Sequence, residues 1–229
     1  MQKKQLRRII DLCMVLLLPM LMAYSLIGEA FHEVAGTIMF GLFISHMIMN
    51  RGWYRALPKG KYNPERTART ILDLLLVIFM FVQPISGILM SKHLYTFISI
   101  PGISAAAREI HLVCAYWGFV LLCVHAGSHL GHPLGRLKDV DKRRWKCVVG
   151  TLAAVSAYGI YAFTKRGLAD YMFMRTAFAF FDLSEPRIIF VADYVSIMVL
   201  FAMAGYAIIL LLRRTVVSTG EHKEGVFNE

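Results

Sequence analysis

The sequence predicts an all-α fold: a polytopic membrane helix bundle with six transmembrane helices. Of its 229 residues, 57% are hydrophobic and only 17% are charged. Soluble domains average about 45–50% apolar and about 25% charged residues. The apolar residues are gathered in long runs, and a run of about 20 residues suffices for a helix to cross a bilayer core. Backbone groups in lipid must be satisfied within their own segment, so we interpret the runs as helices.

The predicted spans follow one another with short hydrophilic connections. The first comes after the basic start "MQKKQLRR". Its apolar run exceeds the usual signal-peptide core of about 7–15 residues, so we expect a retained helix rather than a cleaved signal peptide. Residues 1–229 form a single membrane domain, with a four-helix core over 9–132. The six spans are 9–27, 32–49, 70–90, 110–129, 145–163 and 188–212.

Two further helices are predicted within residues 133–212. Between them, near residues 164–187, aromatic residues are mixed with both signs of charge, which indicates an amphipathic segment along the outer interface. The last residues, 213–229, are expected to form a cytoplasmic tail.

The net charge of +10 is distributed as a topology signal. If the chain starts inside, the cytoplasmic segments and their flanks hold 19 of the 25 Lys and Arg residues. This bias predicts that both termini are cytoplasmic. The charge therefore indicates membrane orientation and contact with lipid, and we predict no nucleic-acid partner.

Four histidines form the most informative pattern. His32 and His46 lie fourteen residues apart on the second span, and His111 and His125 are fourteen apart on the fourth. Fourteen residues fall roughly 40° short of four helical turns and rise about 21 Å, so each pair shares a face but sits at two depths. Both spans run in the same direction. His32 is therefore expected level with His111, and His46 with His125.

Two imidazoles at each level suit iron held from both sides in haem, whereas zinc would need about four clustered ligands. The four cysteines form neither C-x-x-C nor C-x-x-C-H, so we predict two non-covalent, b-type haems and no disulfide. Gly36 and Gly118 would let backbone approach the porphyrin, although glycine also serves ordinary helix packing.

Several neighbours have open roles. His129 is a rival to His125 as the inner ligand, although the matching spacing favours His125; His129 would then be a partner of that ligand or a propionate neighbour. Arg108 is predicted to meet the outer propionates, together with His93, which is equally compatible with an interfacial position. Polar residues within the spans could contact protons or quinone, although helix-end charge and packing are the expected roles for these: Asp11, Asp73 and Gln83.

The segments "HEVAGTIMFGLFISHMIMNRGWY" and "REIHLVCAYWGFVLLCVHAGSH" resemble the flavinylation-associated cytochromes, which are small bacterial membrane proteins. The likeness covers residues 9–132 best, and "YAFTKRGLADYMFMRTAFAFFD" is similar to the last third of such proteins. The paired histidines are also similar to those of respiratory cytochrome b. The resemblance implies a bacterial inner-membrane location and His32, His46, His111 and His125 as haem ligands. It also implies quinol as electron donor and an extracytoplasmic FMN-bearing protein as acceptor.

Together these patterns predict a transmembrane dihaem cytochrome that carries electrons from quinol to an extracytoplasmic flavoprotein. Whether it is also an enzyme, a quinol oxidoreductase, is left open. One alternative is a metal or proton transporter that uses the histidines as a relay without haem. The other is a haem-bearing membrane anchor of a partner oxidoreductase.

Overall fold

The structure, a computed structural model, describes residues 3–98, 100–176, 182 and 184–226, with side chains up to residue 214. All regular structure in these residues is helical. The helices are α1 (Lys3–Met22), α2 (Tyr24–Ile27), α3 (Glu29–Met49), α4 (Arg51–Ala56), α5 (Pro64–Leu89), α6 (Ser104–Ser128), α7 (Gly131–Val140), α8 (Lys142–Lys165), α9 (Leu168–Met172) and α10 (Arg187–Val226).

The all-α membrane bundle is confirmed, with a difference at its first helix. In the described chain, five helical stretches are long and apolar enough to cross a membrane: α3, α5, α6 with α7, α8, and α10 up to Arg214. The first predicted span, 9–27, does not meet this standard. Helix α1 has 20 residues, carries Arg7, Arg8 and Asp11 within its first half, and ends at Met22. It still packs along α3.

Local signals explain where the two most clearly capped helices begin. The Asn63 side chain accepts a hydrogen bond from the backbone N–H of Arg66 at 2.8 Å, and Pro64 occupies the first turn of α5. The Asp141 side chain accepts from the backbone N–H of Arg144 at 2.9 Å and starts α8. Such caps satisfy N–H groups that have no partner within the helix.

The most extensive helix packing in the described chain is that of α10 against α6 and against α8. Phe119 of α6 and Ile197 of α10 are almost completely buried there. Glycines allow the helices to approach closely: a Cβ at Gly127 would meet the backbone of Ala202, and a Cβ at Gly159 would meet the backbone of Ser196. Small residues at such crossings are typical of membrane helix packing. Helix α10 thereby packs closely against α6.

The first four long helices leave a space among themselves. Helix α6 packs chiefly against α5 and α10, whereas α3 packs chiefly against α1 and more sparsely against α5. Over the described residues, α3 and α6 make few direct contacts with each other. The two histidine-bearing helices therefore face each other across a cavity rather than through packed side chains.

The predicted outer segment, 164–187, folds onto the end of α6 and α8 where it is described; residues 177–181 and 183 lie outside the described part. Leu168 and Met172 of α9 are buried, and the indole nitrogen of Trp117 donates to the carbonyl of Met172 at 2.9 Å. Beside α9, the fully buried Asp193 of α10 accepts from Lys165 at 2.9 Å. These contacts fix the segment to the bundle.

Candidate haem sites

His32 and His111 face each other across the cavity, as the sequence predicts. Their ring centroids are 6.1 Å apart, with the ring planes inclined at 70°. His32 lies in the second turn of α3 and His111 in the third turn of α6. We call this end of the bundle the outer end, following the predicted topology, and the end with His46 and His125 the inner end.

The cavity between these rings has a volume of about 790 Å³, within the usual range of roughly 300–1,000 Å³ for small-molecule and cofactor pockets. Five of the predicted cofactor-binding residues line it together: His32, His111, Gly36, Gly118 and Arg108. A Cβ at Gly36 or Gly118 would approach no neighbouring protein atom closer than 4.0 Å. Both glycines thus keep open the space into which a flat ring would fit.

Both ring nitrogens of His111 lie within hydrogen-bond distance of residues on α5. Its Nδ1 lies 3.1 Å from the carbonyl oxygen of Gln83 and 3.1 Å from the hydroxyl of Ser86. The amide Nε2 of Gln83 lies 3.0 Å from His111 Nε2. A carbonyl oxygen can only accept, so Nδ1 carries the hydrogen and Nε2 presents its lone pair. A metal ion can therefore bind His111 Nε2 only if the Gln83 amide moves aside.

The outer residues fit a haem. Bonds from imidazole nitrogen to a metal are roughly 2 Å long, so two rings on opposite sides of one ion have centres about 6 Å apart. His32 and His111 meet that spacing. His32 Nδ1 and Gln83 Oε1 are buried without a hydrogen bond in the described part of the chain. Buried polar atoms usually have partners, so this cavity has polar groups to offer to a bound group.

At the inner end, each predicted ligand is held by a carboxylate. His46 Nδ1 lies 2.8 Å from Asp11 Oδ1 of α1, and His125 Nδ1 lies 2.8 Å from Asp73 Oδ1 of α5. An ionised carboxylate only accepts hydrogen bonds, so in both rings Nδ1 carries the hydrogen and Nε2 has the lone pair. Metal-binding histidines are typically oriented by such a bond.

The inner pair is less closely joined than the outer pair. In the described residues no ring contact links His46 to His125; instead, the His125 ring contacts His129, with centroids 4.9 Å apart. His129 also lines a second cavity of about 320 Å³ with Asp73 and Arg69. The structure thus places His129 beside His125, as one of the predicted alternatives has it.

No group of three or more His, Cys, Asp or Glu side chains suited to hold a bare metal ion occurs in the described residues. His93 does not line the outer cavity; its Nε2 lies 3.7 Å from Glu29 at the outer surface.

Several contacts around the histidines were not predicted. Asp11 and Asp73 are histidine partners, and Ser86 contacts His111. Near His32, the carboxylate of Glu33 accepts from the Ser91 hydroxyl at 2.7 Å and so fixes the connection after α5. The only sequence signal for these roles is the presence of polar residues within apolar helices.

Comparison with known proteins places these helices in a family. Residues 9–143 match the family model of prokaryotic cytochrome b561. The chain belongs to the prokaryotic cytochrome b561 family. The match spans the whole predicted four-helix core and ends at residue 143, at the start of α8. As a member of the prokaryotic cytochrome b561 family, the chain is a transmembrane b-type cytochrome with a role in electron transfer. The predicted similarity to cytochrome b is therefore confirmed, and the flavinylation-associated assignment stays a prediction.

Neither the curated proteins nor the solved structures include a significant match to this chain.

Proposed function

We propose that this cytochrome holds two b-type haems and carries electrons across the membrane, from quinol to an extracytoplasmic FMN-bearing protein. The observation that carries the proposal is the pairing of His32 with His111 across a cavity of about 790 Å³. The second pair, His46 and His125, supports a second site, since both rings are oriented by carboxylates with Nε2 left to coordinate.

Each side chain has a definite task in this proposal. His32 and His111 would hold the outer haem, and His46 and His125 the inner one. Bound haem would supply one-electron exchange, and the two imidazoles at each site would hold it. Arg108, at the start of α6, lines the outer cavity and would pair with propionates. His129 would lie next to the inner ligand His125.

The depth of the two sites supports transport across the bilayer rather than along it. Fourteen helical residues separate the members of each pair, a rise of about 21 Å. Two sites at these depths divide a hydrocarbon core of about 30 Å into shorter steps. The sequence contains no motif that we recognise for flavin or NAD attachment, so the flavin is assigned to the partner protein. Membership of a b-type cytochrome family argues against a haem-free histidine relay.

The decisive experiment is the haem content and spectrum of the purified full-length protein. We expect two b-type haems per chain in a pyridine haemochrome assay, reducible by dithionite. His111→Ala should lose one of them. His132, an exposed histidine after α6, provides the matched control: His132→Ala should keep both haems. A protein without haem, or with a single haem that survives His111→Ala, would refute the two-site proposal.

Direction and partners need a second assay. In liposomes, a quinol in the membrane should reduce the cytochrome, and an FMN-bearing acceptor added at the outer side should reoxidise it. A cytochrome that acts only as an anchor would keep its haems and show no electron flow to an added flavin. That result would overturn the transport part of the proposal and leave the haem sites intact.

A further inference from the structure

The two histidine pairs differ in what holds their Nδ1 nitrogens. At the inner end both acceptors are carboxylates: Asp11 for His46 and Asp73 for His125, each at 2.8 Å. At the outer end, His111 Nδ1 faces the carbonyl of Gln83 and the hydroxyl of Ser86, both uncharged. His32 Nδ1 is buried without a hydrogen bond in the described part of the chain.

Charges farther from the rings do not remove this difference. The outer cavity is lined by two basic residues, Lys92 and Arg108, and by Glu29 and Glu33. The Glu33 carboxylate is turned toward the loop after α5, where it accepts from Ser91 and from backbone N–H groups. At the inner end Arg69, which lines a cavity with Asp73, is bonded to Glu65 and to Ser128. Direct contact between carboxylate and imidazole is therefore a property of the inner pair.

A carboxylate on Nδ1 has a known direction of effect. It makes the imidazole a more basic ligand at Nε2, and its negative charge stabilises the more positive, ferric state of an iron. Both effects lower a reduction potential. The effect is stronger where solvent screens less. Asp73, whose side chain is 22% exposed, should therefore act more strongly than Asp11, which is 52% exposed.

We propose that Asp11 and Asp73 are positioning residues that lower the reduction potential at the inner end below that at the outer end. This inference rests on the proposed two-haem function. A potential that rises from the inner to the outer end favours outward electron flow. Quinol, the reductant, releases two electrons and two protons as it becomes quinone; flavin, the oxidant, takes up two of each as it is reduced.

The test is a potentiometric titration of the full-length protein, followed by absorbance after haem content has been measured. Wild type should show two one-electron transitions. His111→Ala, which removes the outer site, should retain the lower one. Asp73→Asn keeps an acceptor but removes the charge. It should raise the potential of the lower transition, so that the ferric-to-ferrous ratio at a fixed potential falls about tenfold. For a one-electron couple this is an upward shift of about 59 mV. The upper transition should stay in place.

The controls separate charge from folding. Asp11→Asn should shift the same transition upward by less than Asp73→Asn does. Asp73→Glu restores the charge and should return the potential toward that of wild type. Asp139→Asn removes an exposed carboxylate on the same side and should change neither transition.

Three results would overturn the inference. In the first, the lower transition disappears with His46→Ala but is unchanged in Asp73→Asn. In the second, Asp73→Asn shifts both transitions equally. In the third, His111→Ala removes the lower transition. In each of these cases the wild-type protein still binds both haems, and the proposed function stands. A protein without haem would overturn the proposed function and this inference with it.

Discussion

Arg69 of α5 joins the last residue of α6 through two hydrogen bonds: its guanidinium donates to the Ser128 hydroxyl at 2.9 Å and to the Ser128 carbonyl at 2.8 Å. The Ser128 hydroxyl in turn donates to the carbonyl of His125 at 2.7 Å. The third guanidinium nitrogen donates to Glu65 at 3.0 Å. The end of α6 that carries His125 is therefore held by a side chain that the neighbouring helix supplies.

This arrangement predicts the effect of Arg69→Ala. Loss of charged hydrogen bonds to partly buried groups typically costs about 1–3 kcal/mol, and we expect a loss of stability in that range together with weaker retention of the inner haem. Thermal unfolding followed by haem absorbance measures both. Arg144→Ala is the matched control, since Arg144 is exposed and pairs only locally with Asp141. Equal effects of the two variants would contradict the prediction.

Ring orientation predicts which of His125 and His129 binds the inner haem. Asp73 holds Nδ1 of His125 at 2.8 Å, which leaves Nε2 to coordinate. We therefore expect His125→Ala to lose one haem per chain and His129→Ala to keep two, with at most a shifted absorption band. Haem stoichiometry in the purified variants is the measurement. A variant His129→Ala with one haem would show that the ligand lies one turn further along the chain.

Gly87 predicts a steric effect on the outer pair. An added Cβ would lie 3.2 Å from Cε1 and 3.5 Å from Nδ1 of His111, so the ring must shift by a few tenths of an ångström. We expect Gly87→Ala to keep a folded protein but to change the low-spin ferric EPR signal or the absorption band of one haem. Gly41→Ala is the control, because a Cβ there meets nothing within 4 Å and alanine favours helix by about 1 kcal/mol. Identical spectra of Gly87→Ala and wild type would contradict this.

The pairing of the outer histidines could be predicted from the sequence because it depends on helical periodicity and on the common direction of the two spans. Equal spacing on two parallel helices predicts that His32 lies level with His111, and the structure brings these two rings together. The glycines Gly36 and Gly118 likewise line the same cavity. The depth of each of these residues in the bundle follows from the number of residues that separates two positions on the same helix.

Contacts that depend on how one helix is rotated about its axis relative to another could not be predicted from the spacing of residues. Asp11 reaches His46, and Asp73 reaches His125, only because α1 and α5 turn those faces inward. The first predicted span, 9–27, differs in its bounds for another reason: α1 begins at Lys3, includes the basic start and ends at Met22.

The crossing of α6 and α10 predicts a large effect of a small substitution. A Cβ at Gly127 would overlap the backbone of Ala202, and one at Gly205 would overlap the backbone of Val124. Backbone cannot give way as a side chain can, so Gly127→Ala should push the helices apart. Overpacking typically costs about 1–3 kcal/mol. We expect a lower unfolding temperature and reduced content of both haems, because α6 carries one proposed ligand of each. Gly150→Ala, with nothing within 4 Å of its Cβ, should match wild type.

The outer segment should lose its attachment in acid. Glu185 accepts from Lys165 at 2.8 Å and also pairs with Arg166, and these two bonds hold the pKa of Glu185 below its ordinary value of 4.5. Because the pKa is lower in the folded state, the stabilisation is fully present above about pH 4.5 and is lost as the pH falls through the depressed value. Asp182, whose pKa the Ser184 hydroxyl lowers, acts in the same direction.

Hydrogen exchange of the segment at residues 164–187, expressed as protection relative to the intrinsic amide exchange rate at each pH, measures this loss. We expect lower protection below pH 4.5 than at neutral pH for wild type. Glu185→Gln should be less protected already at neutral pH and respond less to acid, because its side chain cannot ionise and forms no ion pair with Lys165 or Arg166. The Lys165–Asp193 contact at 2.9 Å remains in that variant, so the segment should be loosened rather than released. An unchanged acid response in Glu185→Gln would contradict the assignment to Glu185.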